Sequence, residues 1–311
     1  MTEDFDRLAE RVRNWGRWGA DDQRGTLNHI GPDALKRGAK EVVSGKLFSL
    51  AIRFDSDGPQ TGLAGRFNPQ LYATALGKPM GGGGRSLYSD DVIHMPLQAA
   101  TQWDALAHVH YDGLLYNGHK ACDVLGTHGT SRCGIDHLAR PGIMSRGVLI
   151  DVARYRRVDE LPPGYAITVD ELNAVCAAQS VTVEPGDVVL IRTGHIRHFT
   201  LRADRETFTN GLQPGVDVGC AEWLHDKKAA AIAADNLAVE VFTEAMYASD
   251  MLLPFHQLAL RDMGCPLGEM FDLEALAADC ASDGRYSFML SAPPLPVTGA
   301  FGSPTNPLAL K

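Results

Sequence analysis

Residues 98–113, QAATQWDALAHVHYDG, gather two amides, two carboxylates and two imidazoles within sixteen positions. Asp104 can supply a hard oxygen ligand, His108 an imidazole base or ligand, and Gln102 an amide carbonyl or an N–H donor. His110 stands two residues beyond His108, so a strand there would place both rings on one face. Trp103 reads as core or pocket wall and would offer an aromatic face to a ring-containing substrate. Asp112 and Gly113 form a turn pair that closes the stretch.

Within it, TQWDALAH at 101–108 resembles the signature HxGTHxDxPxH of the cyclase family, the kynurenine formamidase-like and isatin hydrolase-like metal-dependent hydrolases. Thr101, Asp104 and His108 match; Gln98 and Gln102 stand at the first two histidines, Ala100 at the glycine and Leu106 at the proline. HQLALRDMGCPLGEMFDL at 256–273 is similar to the family's later segment, so the resemblance adds His256 and Glu269 to the metal centre. The strands GVLIDV and PGDVVLIRTG between these motifs extend the likeness over residues 90–275, and WGRWGADDQRGTLNHI and GSPTNP look like a longer branch of the family.

The resemblance implies a β-rich α/β fold of swivelling β/α/β type that opens cyclic amides, lactones or N-formyl amides with activated water, as a homodimer or homotetramer. It also implies a divalent metal, manganese or zinc with magnesium possible, Asp104 as ligand and His108 as proton shuttle. Neutral amide oxygens are weaker ligands than imidazole for a borderline metal, which leaves Asp104, His256 and Glu269 as a three-ligand set with a position open to water. Gln98 and Gln102 then join the metal or orient the substrate. Two other readings stay open: a metal-free cyclase, dehydratase or isomerase run by His108, and a non-catalytic small-molecule binding protein.

The elements that must position these groups read as a mixed α/β domain. Pro32 opens a helical pattern with Leu35, Ala39 and Val42 on one face, and residues 47–52 read as a strand. Residues 55–91 turn to Gly, Pro and polar types and read as a long loop or arm, the kind of segment that covers a site. Its Gly81 to Gly84 run has no phosphate-loop spacing. Residues 147–153 and 187–194 read as buried strands, with a capping box, Thr168 and Glu171, starting a helix between them. A helix over 217–226 precedes a small-residue strand ending at Asp235 and Asn236, where α/β sheets present polar groups to ligands, with Glu240 near enough to join them.

Composition narrows the function classes. The 311 residues carry a net charge of −9, against the concentrated basic surface that nucleic-acid binding requires. The charged, aromatic start at residues 1–22 does not read as a secretory signal and no apolar run reaches membrane-spanning length, so a cytoplasmic protein that binds no membrane is expected. Six singly scattered cysteines read as reduced thiols. A single domain over 1–311, with an N-terminal arm at 1–30, acting on a neutral or weakly anionic cyclic metabolite, is the resulting expectation.

Overall fold

The computed structural model describes residues 2–81 and 84–311; of the Gly81 to Gly84 run, Gly82 and Gly83 lie outside the described residues. Strands β1 (Leu47–Ser49), β4 (Gln102–Asp104), β5 (Met144–Asp151), β6 (Val188–Arg192), β7 (Ala231–Ala234), β8 (Leu267–Glu269), β9 (Ser287–Ser291), β10 (Gly302–Pro304) and β11 (Leu308–Leu310) form one nine-stranded sheet. Its order is β1-β11-β9-β5-β6-β7-β8-β4-β10. The four central strands, β5 to β8, are parallel, and the strands on either side of them are antiparallel. Burial on both faces explains why β5 and β6 read as near-continuous apolar runs rather than as alternating ones.

The predicted helices are present with tighter ends. Pro32–Lys40 forms a helix with proline in its first turn, and Val169–Ala178 begins where the Thr168 hydroxyl accepts from the Glu171 N–H at 3.3 Å. Cys220–Lys227 replaces the expected 217–226 span, ending at Lys228 in a left-handed conformation. The N-terminal arm is built into the core. Helix Thr2–Val12 buries Phe5, Leu8 and Val12, while Asn14 Nδ2 donates to the Met263 carbonyl at 2.9 Å and the Thr26 hydroxyl to the Ala230 carbonyl at 2.7 Å.

The 55–91 segment departs from a plain loop. After a turn at Leu63–Gly65, residues Gln70–Pro79 (β2) and Leu87–His94 (β3) pair as an antiparallel hairpin whose Leu71, Leu76, Met80 and Leu87 are exposed. Its alternation is hard to read because neither face is buried. Among the described residues no helix is long and apolar enough to cross a membrane.

Candidate metal centre

Three elements converge on one buried point. Strand β4 supplies Gln102 and Asp104 on one face, and the pleat turns Trp103 to the other. Register places Glu269 on β8 opposite Gln102. The third element is the short helix Pro254–His256, which runs into a π-helical turn, Gln257–Met263, a wide winding that recurs at functional sites.

One ligand atom each from Asp104, His256 and Glu269 lie within 4.8 Å of one another, and all three residues are buried. His256 Nε2 is 3.2 Å from Glu269 Oε1 and 3.7 Å from Asp104 Oδ2. The other ring nitrogen, Nδ1, is 2.5 Å from Glu240 Oε1, and the two Glu240 oxygens also accept the N–H groups of His256 at 3.0 Å and Phe255 at 3.2 Å. Glu240 therefore fixes the imidazole so that Nε2 faces the carboxylates, the arrangement by which a neighbouring carboxylate orients a ligating histidine. Gln102 Nε2 donates to Glu269 Oε2.

Three oxygens are left over. Asp104 Oδ1, Asp104 Oδ2 and Gln102 Oε1 are buried and, among the described residues, have no hydrogen-bond partner. Orphaned buried oxygens cost free energy unless something else satisfies them. Two carboxylates, an imidazole and an amide carbonyl are a donor set that suits a divalent cation, so the residues present fit a metal.

The electrostatics carry the same strain. Burial, then the nearby Glu269 charge, pushes Asp104 well above the usual carboxylate range. Burial would also raise Glu269, but the hydrogen bond and positive charge of His256 outweigh it and hold this carboxyl low. Burial alone would lower His256; the hydrogen bonds and charges of Glu240 and Glu269 reverse that and bring it up to about 10. His108 Nε2 stands 3.7 Å from Asp104 Oδ1, and burial pulls this imidazole down to about 4 against the pull of Glu269.

Backbone strain clusters around the same residues. Val239, next to Glu240, has φ 61°; Met270, next to Glu269, has φ 58°; Leu253, just before the His256 helix, has φ 56°. Left-handed backbone at branched or bulky residues is costly and concentrates at functional sites. Thr101, matched in the sequence motif, holds the Met270 carbonyl through its hydroxyl at 2.6 Å and accepts the Ile52 N–H at 2.9 Å.

Several expected site residues lie elsewhere. Trp103 is a core residue, its indole N–H donating to the Ala292 carbonyl at 2.8 Å and its ring edge-on to Phe271 at 5.4 Å. It cannot form a substrate wall because the strand pleat points it away from the carboxylates. Asp235 is fully occupied by the Thr193 N–H, the Thr193 hydroxyl and the Gly194 N–H at 2.9, 2.6 and 2.7 Å. His110 follows a turn rather than continuing β4, since the His108 N–H bonds back to the Ala105 carbonyl at 2.9 Å, so the shared face is lost. Gln98 rests against Gly302 on the neighbouring strand and, among the described residues, makes no side-chain hydrogen bond to the three ligand residues.

A pocket of about 140 Å³ opens onto His256, Glu269 and His108, with Leu237, Phe242 and Leu253 as apolar walls. Of its remaining polar lining, Thr209 comes from a short helix, while Gln60 and Arg66 come from the segment read as a covering loop, and no spacing in the sequence singled those two residues out.

The sequence and the fold have known relatives. Residues 29–241 match the family described as "Putative cyclase". A crystal structure of a novel cyclase is 39% identical over 97% of this chain and 99% of that one, with a TM-score of 0.88. An isatin hydrolase bound to the product analogue thioisatinate is 18% identical, covering 90% of this chain and 98% of its own, with a TM-score of 0.64. A predicted metal-dependent hydrolase from Bacillus stearothermophilus is 16% identical over 86% of this chain and 98% of its own, with a TM-score of 0.54. No curated protein matches the sequence.

Proposed function

From the premise that this chain belongs to the cyclase family, we propose that it is a metal-dependent hydrolase that opens an amide or lactone bond of a small, ring-containing metabolite. The observation that carries the reading is the set of buried, unpartnered oxygens on Asp104 beside His256 and Glu269. Asp104, His256 and Glu269 would hold manganese or zinc, with magnesium possible, and the Gln102 carbonyl oxygen is the fourth donor at hand. Such a cation polarises the carbonyl under attack and lowers the pKa of water towards about 7.

The protein's own groups do the rest. Glu240 orients His256, and Gln102 orients Glu269. His108 is the proton carrier. Held neutral by burial, its imidazole takes a proton from the attacking water and returns it to the departing nitrogen or oxygen as the carbonyl carbon to heteroatom bond breaks. The exposed apolar side chains of the β2–β3 hairpin support assembly as a homodimer or homotetramer.

One observation favours a second reading. His108 Nε2 and His256 Nε2 each stand 3.7 Å from an Asp104 oxygen, a spacing from which the two imidazoles and the carboxyl could act as a proton relay for isomerisation or dehydration without metal. Elemental mass spectrometry of protein purified without chelator separates the two. We expect about one divalent metal per chain, lost in Asp104→Ala and His256→Ala. Metal-free wild type whose activity is unchanged by chelator would overturn the hydrolase reading in favour of the relay.

A further inference from the structure

The loop that reaches over the pocket is closed on itself. The Gln60 N–H donates to Asn68 Oδ1 at 2.7 Å, and Asn68 Nδ2 donates back to the Gln60 carbonyl at 3.1 Å, so residues 60–68 form a clamped turn. The Thr209 hydroxyl anchors it by donating to the Pro59 carbonyl at 2.7 Å. Two polar side chains of this turn, Gln60 and Arg66, line the pocket.

Gln60 is only 5% exposed, and its amide nitrogen is committed to the Ala99 carbonyl at 2.8 Å. That bond fixes the amide's orientation, and Oε1, buried in the pocket wall, has no hydrogen-bond partner among the described residues. Arg66 is the only arginine or lysine among the described residues lining the pocket, and none of their carboxylate oxygens comes within 4.0 Å of its guanidinium. Apart from the metal-centre residues His108, His256 and Glu269, and Thr209, whose hydroxyl is committed to the Pro59 carbonyl, the other walls are apolar. Beyond the metal-centre residues the cavity thus offers one fixed acceptor, one cation with no carboxylate in contact among the described residues, and space for a molecule well below the ~300–1,000 Å³ of drug-sized sites.

We propose that the 60–68 turn is the substrate-recognition element of this site and selects small amides that carry a carboxylate, Arg66 pairing with the carboxylate and Gln60 Oε1 accepting the amide N–H. This rests on the hydrolase reading above and narrows it from amide or lactone to amide, and from a neutral or weakly anionic substrate to an anionic one. A guanidinium matches a carboxylate with two parallel hydrogen bonds. A buried acceptor discriminates against an analogue with no N–H, because that analogue leaves it unpaired.

The test is a matched set of probes: 5-oxoproline, which has a lactam N–H and a carboxylate; its carboxamide, which lacks the charge; and 5-oxotetrahydrofuran-2-carboxylate, which lacks the N–H. N-formylglycine and N-formylglycinamide make an open-chain pair. Binding is measured by calorimetry and turnover by product release, on wild type, Arg66→Leu, Arg66→Lys and Gln60→Leu, each checked for unchanged melting temperature. Wild type is expected to bind each acid at least ten-fold more tightly than its carboxamide. Arg66→Leu should erase that ratio, Arg66→Lys should keep part of it, and Gln60→Leu should erase only the preference for lactam over lactone.

Equal affinity for acids and carboxamides, a ratio that survives Arg66→Leu, or no binding of any probe overturns the inference. So does an Arg66→Leu variant that loses kcat while keeping the binding ratio, which would place Arg66 on charge developing in the reaction. Turnover of acids and carboxamides alike would leave the hydrolase reading standing and the inference fallen. An Arg66-dependent preference for acids in binding, with no hydrolysis of any probe, would keep the recognition role and count against hydrolysis.

Discussion

Two buried polar clusters sit at the carboxyl ends of neighbouring parallel strands, and they are finished differently. At the ends of β5, β6 and β7, Arg192 donates to Asp151 Oδ1 at 2.9 Å and to both oxygens of Glu274 at 2.7 and 3.0 Å, and both Asp235 oxygens accept from Thr193 and Gly194. At the end of β8 and on β4, Asp104 and Gln102 keep oxygens without hydrogen-bond partners among the described residues. Strand-end position is where open α/β sheets bind ligands, yet it does not tell these clusters apart. Satisfaction does: among the described residues the carboxylates of the first cluster have their donors, whereas Asp104 in the second leaves two oxygens that a cation would satisfy.

The largest test of this contrast sets Arg192→Leu against His108→Ala. Removing Arg192 takes a buried guanidinium from Asp151 and Glu274, which keep Arg154 and Arg197 as partners, and should cost about 3 kcal/mol in denaturant unfolding, while the folded fraction keeps its turnover. Removing His108 should cut kcat by about 10²- to 10⁴-fold with little loss of stability. Comparable destabilisation by both variants would erase the distinction.

A smaller effect sharpens it. Glu240→Gln keeps the shape but weakens the hold on His256 Nδ1, so metal affinity measured by competition with a chelating dye should fall about 10- to 100-fold. Unchanged affinity would make Glu240 a structural residue of the first kind.

The smallest is a pH effect confined to the satisfied side. His195 stacks on Phe208, its Nε2 lies 3.2 Å from the Phe208 carbonyl, and burial lowers it from 6.5 to about 4. Its folded pKa lies below the unfolded one, so the unfolded chain binds the extra proton between those values. Stability contributed by the neutral ring is present above pH 6.5 and is lost as pH falls towards 4. Between pH 6.5 and 5.5 this amounts to about 1 kcal/mol, and His195→Gln should flatten that part of the unfolding profile. A His195→Gln profile that parallels wild type would show that the ring is solvated.

Local order was legible wherever its cause is local. The Thr168 cap, the Pro32 helix start and the apolar strands around Val148 and Val189 follow from residue type and period, and Asp104 and His108 could be picked out from one short motif. His256 and Glu269 came through resemblance alone, because nothing in their spacing shows that a π-helical turn returns both to one point. Gln60, Arg66 and the role of Glu240 had no local mark. Trp103 and Asp235 were misplaced for a related reason: which face of a strand meets the pocket, and whether a carboxylate already has its donors, depend on neighbours far along the chain. Asp235 is closed by Thr193, and Trp103 by Ala292. The amino-acid order decided which groups could do chemistry; packing decided which of them remain unsatisfied, since a buried polar atom's partners come from whatever strand the sheet sets beside it.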